Sequence, residues 1–445
     1  MTTALTASRP VTNRRVLRIA VPIVLANISV PLLGAVDTGV VGQMGAAAPI
    51  GAVGLGAVIL ASIYWIFGFL RMGTTGLVAQ ASGAGDLAES GAVLTRGIML
   101  GLVAGVVMVA AQALIMAAAF RIAPASAAVE ELARDYLVIR IWGAPATIAL
   151  YAVNGWLIGT ERTRSVLILQ LWMNGLNIAL DLWFVLGLGW GVQGVAIATL
   201  IAEATSLILG LYLCRAAFSG AQWRDWARVF NRARLHRMWA VNSDIMLRTI
   251  ALQGAMTGFM FMSAGLGDVE LAANQVLWQF LMVTAFALDG FAFAAEALVG
   301  HAVGARSMVA MRQAATRASV WAISAALVMA LGVWVLGPFA IDLMAKDTGV
   351  QETARVFLPY VVVLCVLGAG AYMLDGIFIG ATGTREMRNT VTLAVAIYAG
   401  IIWWAVPVWG NHALWVALMV LNILRGAFLA AFYPRLERRV GADRA

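Results

Sequence analysis

The chain has 445 residues, 62% of them hydrophobic and only 12% charged, about half the charged share of an average soluble domain. That composition excludes a soluble globular protein and points to an all-α polytopic membrane protein. The formal charge of +8 reads as a topology signal rather than a nucleic-acid surface, and the 2 cysteines offer neither a disulfide framework nor metal-ligand spacing.

Residues up to Arg15 are polar and basic, and the apolar run after them is too long for a signal-peptide core, so it is expected to be a retained span. That run, VLRIAVPIVLANISVPLLGAVDTGVV from Val16 to Val41, is long enough to cross a bilayer. It carries Pro22, Pro31, Gly34 and Asp37. A proline removes a helix hydrogen bond and bends the helix, so these positions predict that the first span bends or changes its bend during the working cycle. An acid in hydrocarbon is costly and is tolerated where the helix faces protein or a water-filled cavity. Asp37 is therefore read as a cavity carboxylate, against the alternative of a helix-end residue among headgroups.

Apolar runs broken by Gly, Pro and charge clusters give twelve spans: 16–42, 47–78, 92–120, 132–159, 164–188, 191–215, 238–265, 270–301, 312–340, 353–381, 388–407 and 412–433. With the N-terminus in the cytoplasm, that side receives most of the arginines, from Arg9, Arg14, Arg15 and Arg18 to Arg435, Arg438, Arg439 and Arg444. The opposite side holds Arg121, Arg134, Lys346 and Arg355. The asymmetry predicts both termini cytoplasmic.

The chain also repeats itself. Tyr151-Ala-Val-Asn154-Gly-Trp-Leu-Ile-Gly159 matches Tyr372-Met-Leu-Asp375-Gly-Ile-Phe-Ile-Gly380 at an offset of 221 residues, and the Gly83-Ala84 region matches Gly304-Ala305 at the same offset. The expected organisation is a six-helix lobe over 1–215, a basic cytoplasmic linker over 216–237 and a second six-helix lobe over 238–445, the lobes related by an axis along the membrane normal. At this offset Asp37 corresponds to Gly258 and Asp181 falls near Ile402, so only the first half owns that acid pair.

The fifth span, LQLWMNGLNIALDLWFV, places Asn174, Asn177 and Asp181 on one helix face. Thr199 lies on the sixth span, and Tyr151 and Asn154 on the fourth. With Asp37 they form a candidate set of hard oxygen donors, suited to a proton relay or a weakly held sodium ion and not to zinc or copper. The competing reading is that amides and hydroxyls serve as glue between helices. In the second half Asp289, Glu296 and Asp375 are candidates for a further acidic site, with Arg71, Arg140 and Arg425 as candidate ion-pair partners. Asp244 and Arg248, four apart, predict a local ion pair. Met256, Phe259, Met260 and Phe261 are candidates for a repackable wall around amphipathic substrates.

At this point the sequence resembles a family. GAVDTGVVGQMG in the first span, GTTGLVAQASGAGD closing the second and NGLNIALDLWFV in the fifth look like the multidrug and toxic compound extrusion (MATE) transporters. NISVPLLGAVDT, FLRMGTTGLVAQ, NSDIMLRT, ALDGFAFAAEA, MLDGIFIGATGTREMRN and GNHALW look like its DinF-like branch. The resemblance implies two six-helix lobes around a central cleft and export of amphipathic or cationic drugs or toxic metabolites by alternating access, in exchange for protons or sodium. It implies a cation site at Asp37, Asn177, Asp181 and Thr199. Asp375 matches an acid that another branch uses with a seventh-span Glu, and the seventh span here has no Glu at comparable depth.

Together these readings predict a non-enzymatic transporter without cofactor. A small amphipathic molecule and the lipid bilayer are its partners, without nucleic acid, and it is a monomer in a bacterial cytoplasmic (inner) membrane. Two alternatives compete with this reading. A lipid-linked precursor flippase would call for several Arg or Lys in a central cavity. A membrane-embedded transferase would call for an Asp-rich metal motif or a His-Asp pair, and the sequence has neither. A phosphate-binding loop is also lacking, so ATP is not the expected energy source.

Overall fold

The computed structural model describes residues 10–43, 47–122, 125–219 and 221–442. Arg9 and Arg444, which count toward the charge asymmetry, lie outside them. The described residues are helical nearly throughout. The first helix, α1 (Asn13–Gly42), runs through Pro22, Pro31 and Gly34. After it come α2 (Ala48–Gly83), α3 (Leu87–Ala110, continued by Gln112–Ile122), α4 (Ala127–Gly159), α5 (Thr163–Gly187) and α6 (Gly191–Leu213). The second half opens with α7 (Arg232–Ala264), then α8 (Asp268–Gly304), α9 (Met308–Met344) and α10 (Thr348–Gly380). The run Thr384–Ala442 breaks at Gly410, whose φ of 55° and ψ of −135° are not helical, and gives α11 before the break and α12 after it. These are the twelve spans expected from the apolar runs.

The repeat is visible in backbone detail. Four helices end in the same cap: a residue in the left-handed region whose own N–H and whose successor's N–H return to carbonyls of the last turn. The left-handed residues are Gly85, Glu161, Arg306 and Thr382. Gly85 and Arg306 are 221 apart, as are Glu161 and Thr382. The paired caps use equivalent bonds: Arg162 N to Leu157 O at 2.7 Å in one half and Gly383 N to Phe378 O at 2.8 Å in the other. Helix contacts repeat too. A Cβ on Gly155 would stand 2.5 Å from the Arg71 carbonyl oxygen, and one on Gly376 would stand 2.5 Å from that of Ala292. Four residues on, Gly159 faces the carbonyl of Thr75 and Gly380 that of Glu296. In each half, then, the fourth helix lies against the second on two glycines one turn apart. Small residues that let backbones approach are the usual means of holding helices together in lipid.

Two compact units are present. One comprises Leu25–Ala81 and Asp86–Met238; the other comprises Met1–Val24, Ser82–Gly85 and Trp239–Ala445. In the first unit the basic segment after α6 is tied down. The buried Arg96 of α3 donates from Nε to Val229 O at 2.7 Å, from Nη2 to Arg228 O at 2.8 Å and from Nη1 to Glu89 at 2.9 Å. Arg228 itself pairs with Asp86 at 3.0 Å. In the second unit the first half of α1 is buried along Val16, Ile19, Ala20 and Ile23. It meets α8 where a Cβ on Gly290 would lie 2.9 Å from Ala20 O.

Two expectations are corrected here. Asp244 and Arg248 do not pair with each other: Asp244 takes Arg388 at 2.5 Å and the Thr384 hydroxyl at 3.1 Å, while Arg248 goes to Asp375. Both side chains reach across to neighbouring helices, where a fixed partner replaces a pair within one turn. Of the candidate wall residues Met256, Phe259, Met260 and Phe261, Phe259 is not on an open surface. Phe259 is fully buried, edge-on to Trp415 with ring centroids 5.1 Å apart, whereas Phe261 is 74% exposed on another side of α7. Successive positions turn by about 100° on a helix, and here two residues separate the core face from the outer one.

Candidate ion-binding site

The site is built in the Leu25–Met238 unit from five helices. Asp37 sits near the end of α1. On α5 the α-helical part stops at Asp181, and Leu182–Gly187 continues as a π-helix. π turns carry i→i+5 bonds and concentrate at functional positions; here one of them runs from Leu188 N to Trp183 O at 2.9 Å. Asn177, one turn before Asp181, faces the same way. Asp37 and Asp181 are close enough for each carboxyl to act on the other. Asn177 Nδ2 donates to Thr199 Oγ1 on α6 at 3.1 Å, and Thr199 Oγ1 in turn donates to Val195 O at 2.9 Å.

The acceptors left over define the chemistry. Asp37 Oδ1, Asn177 Oδ1 and both oxygens of Asp181 are buried, and among the described residues no donor reaches them. Asp181 and Asn177 are at most 1% exposed. Buried acceptors without donors are strongly disfavoured. A proton or a small hard cation is the partner such a set of oxygens suits.

Other members of the expected set play different parts. Asn174 is fully engaged: Nδ2 donates to Ser29 on α1 at 2.8 Å and Oδ1 accepts from Gln170 at 3.1 Å, which is the glue role. Asn154 is half-buried on α4, and no hydrogen bond ties it to the acids among the described residues. Tyr151 lies beside Glu203 and Arg71 instead.

Two residues were not assigned to this site from sequence. Arg140, considered there as a partner for acids of the second half, forms a two-pronged pair with Glu203 of α6, at 2.7 Å and 3.0 Å. Both side chains are more than nine-tenths buried. A Cβ on Gly143 would collide with the Glu203 carboxylate, so a larger residue at this turn would displace one side of the pair. Tyr136 and the Tyr64 hydroxyl stand close enough to feel the charge of Arg140. The available signal is two opposite charges in the fourth and sixth spans of one half, each span too apolar to hold a charge alone.

In the second unit Asp375 is held by two guanidinium groups: its Oδ2 accepts from Arg248 and, at 2.6 Å, from Arg425. Asp289 acts on Tyr372 next to this trio. Glu296 is buried further along α8, with its backbone carbonyl against Gly380. Among the described residues no group of three or more His, Cys, Asp or Glu is placed to hold a metal ion.

Comparison with known proteins agrees with this architecture. The MatE family model matches residues 22–183 and 245–404, one segment in each half. The chain is 40% identical to DNA damage-inducible protein F of Escherichia coli K12 over 425 residues, covering 94% of this chain and 91% of that one. It is 26% identical to a probable multidrug resistance protein NorM of Synechococcus over 96% of its length and 95% of the relative's. Among solved structures, a MOP superfamily transporter from Pyrococcus furiosus superposes with a TM-score of 0.82 at 20% identity, covering 100% of this chain and 99% of that chain. A variant of a Vibrio cholerae MATE transporter does so with a TM-score of 0.85 at 20% identity, covering 96% and 97%. With both halves matched by the family model and a DinF relative aligned over nearly the whole length, the chain belongs to the MatE family of twelve-helix, two-lobe secondary transporters.

Proposed function

We propose that the protein is an antiporter that exports amphipathic or cationic compounds in exchange for protons or sodium, and that Asp37, Asn177, Asp181 and Thr199 hold the coupling ion. The observation that carries the reading is the cluster of buried acceptor oxygens on Asp37, Asn177 and Asp181 that no donor reaches among the described residues. Two carboxylates in contact repel when both are charged, so the pair takes up a proton or cation as one unit rather than as two independent groups. Outward-facing protein takes the ion and releases drug; inward-facing protein releases the ion and takes drug. The exchange requires that the two ligands favour different states or exclude each other. The division into residues 1–215, 216–237 and 238–445 belongs to this proposal, as do a monomeric state, a bacterial inner-membrane location and cytoplasmic termini. The charge asymmetry of the loops supports the last point.

The test is drug transport in proteoliposomes with proton and sodium gradients imposed separately. Wild-type protein is expected to respond to one of them. Asp37→Asn and Asp181→Asn, purified as folded protein, are expected to lose the response. Gradient-driven transport by Asp37→Asn at the wild-type rate would place the coupling site elsewhere.

A further inference from the structure

We propose that Arg140 is an exchanging counter-cation for the ion site: it pairs with Glu203 while Asp37 and Asp181 hold their ion, and moves to those carboxylates when the ion leaves. This deepens the proposed function and rests on Asp37 and Asp181 being the coupling acids.

The argument begins with an imbalance. Arg140 spends both terminal nitrogens on Glu203, yet its Nε is buried without an acceptor among the described residues. In the same unit, Asp37 Oδ1 and both Asp181 oxygens are buried without donors among the described residues. The arginine is close enough for its charge to act on both acids. Unused donor and unused acceptors thus stand in one buried group, where an unmet polar atom is costly.

The charges give the direction of the exchange. Three carboxylates face one guanidinium. With the ion bound, the Asp37–Asp181 pair is relieved of charge, and Glu203 is the stronger claimant on Arg140. With the ion gone, two adjacent carboxylates outbid one. A guanidinium keeps its charge in any protein environment, so it can fill the vacated place without taking a proton from the exchanged pool.

Glu203 is then left without its arginine, and the hydroxyl beside it is available. Tyr64 of α2 has a buried oxygen without a partner among the described residues, and its near charged neighbours are Arg140 and Glu203. The other titratable groups facing the exchange are Tyr136, near Arg140, and Tyr151, near Glu203 and Arg71. A second arrangement therefore exists in which Arg140 meets the acids and Tyr64 donates to Glu203.

The test is a charge-balanced cycle in proteoliposomes, read as ion-driven drug uptake per folded transporter. Glu203→Gln releases Arg140 to remain on the aspartates, where it occupies the ion's place. Arg140→Gln combined with Glu203→Gln removes both charges and frees the site again. Driven uptake is expected to fall roughly tenfold in the single variant and to return to within roughly threefold of wild type in the double, the scale of ordinary coupling energies. A double variant no better than the single one overturns the proposal, and so does a single variant that transports like wild type. Tyr64→Phe provides a second measurement that does not depend on tolerance of a buried charge change. It is expected to slow driven uptake while leaving thermal stability unchanged; unchanged uptake overturns the proposal. Asp37→Asn, measured alongside, separates the two levels. If it still transports under the gradient, the ion-site reading itself fails. If it is inactive while Glu203→Gln is unaffected, only the counter-cation role of Arg140 falls.

Discussion

Replacing Gly376 by alanine is expected to destabilise the protein, whereas replacing Gly370 on the same helix is not. At Gly376 the new methyl would sit 2.5 Å from the Ala292 oxygen, 3.1 Å from its carbonyl carbon and 3.2 Å from its Cα. All three are backbone atoms of α8, so no side chain can turn away. Reaching ordinary contact requires α10 and α8 to separate locally by about 1 Å, and such overpacking costs roughly 1–3 kcal/mol. At Gly370 nothing lies within 4 Å of the added carbon. Both substitutions gain the same helix propensity, about 1 kcal/mol for alanine over glycine. That gain cancels in the comparison, so the difference between the variants is the roughly 1–3 kcal/mol of overpacking alone. Thermal unfolding in mild detergent, followed by loss of the monodisperse peak, reads it as a lower midpoint for Gly376→Ala, by roughly 2–4 °C per kcal/mol for a unit of this size. Gly155→Ala in the other half, 2.5 Å from Arg71 O, should fall with it. Equal midpoints for Gly376→Ala and Gly370→Ala would refute the claim that glycine-to-carbonyl contacts hold these helices.

Further outcomes follow from the polar contacts. Asn174→Ala should cost about 1–3 kcal/mol of stability by stranding Ser29 and Gln170 while keeping the ion dependence of transport; Asn177→Ala should alter the ion dependence, and identical effects on it in both would remove the distinction between glue and site. Asp375→Asn leaves two buried guanidinium groups competing for a neutral amide, and breaking a buried pair of this kind costs about 3–5 kcal/mol, so reduced yield and a lower midpoint are expected, checked by detergent unfolding.

The spans were legible because lipid requires long apolar helices with few charges, a pattern that survives without any knowledge of packing. The repeat was legible for a related reason. Gly155, Gly159, Gly376 and Gly380 are fixed by backbone contacts that a side chain would obstruct, so matching letters persist at matching places. Asp37, Asn177 and Asp181 stood out as polar groups where polarity is expensive. Arg140 and Glu203 carried the same signal, but their pairing depends on how α4 and α6 face each other, which spacing within one helix does not encode. The same limit explains Asp244 and Arg248: four residues apart is sufficient for contact on an isolated helix, and here each finds a partner on another helix. Phe259 and Phe261 show that residue type does not reveal orientation. The π turn after Asp181 has no marker in the residue pattern of the fifth span.

The opening turns of α1 have a consequence for biosynthesis. Ala20 and Val24 rest against Gly290, and both belong to the unit completed by the last half of the chain. Their seat on α8 is made about 270 residues after these turns, some 14–54 s at ordinary elongation rates of roughly 5–20 residues per second. Throughout that interval Val16, Ile19 and Ile23, buried in the finished protein, must be sheltered by lipid or by the insertion machinery. A nascent chain stalled before Gly290 therefore carries an open seam, and the last half of the chain made alone lacks the strip that closes it.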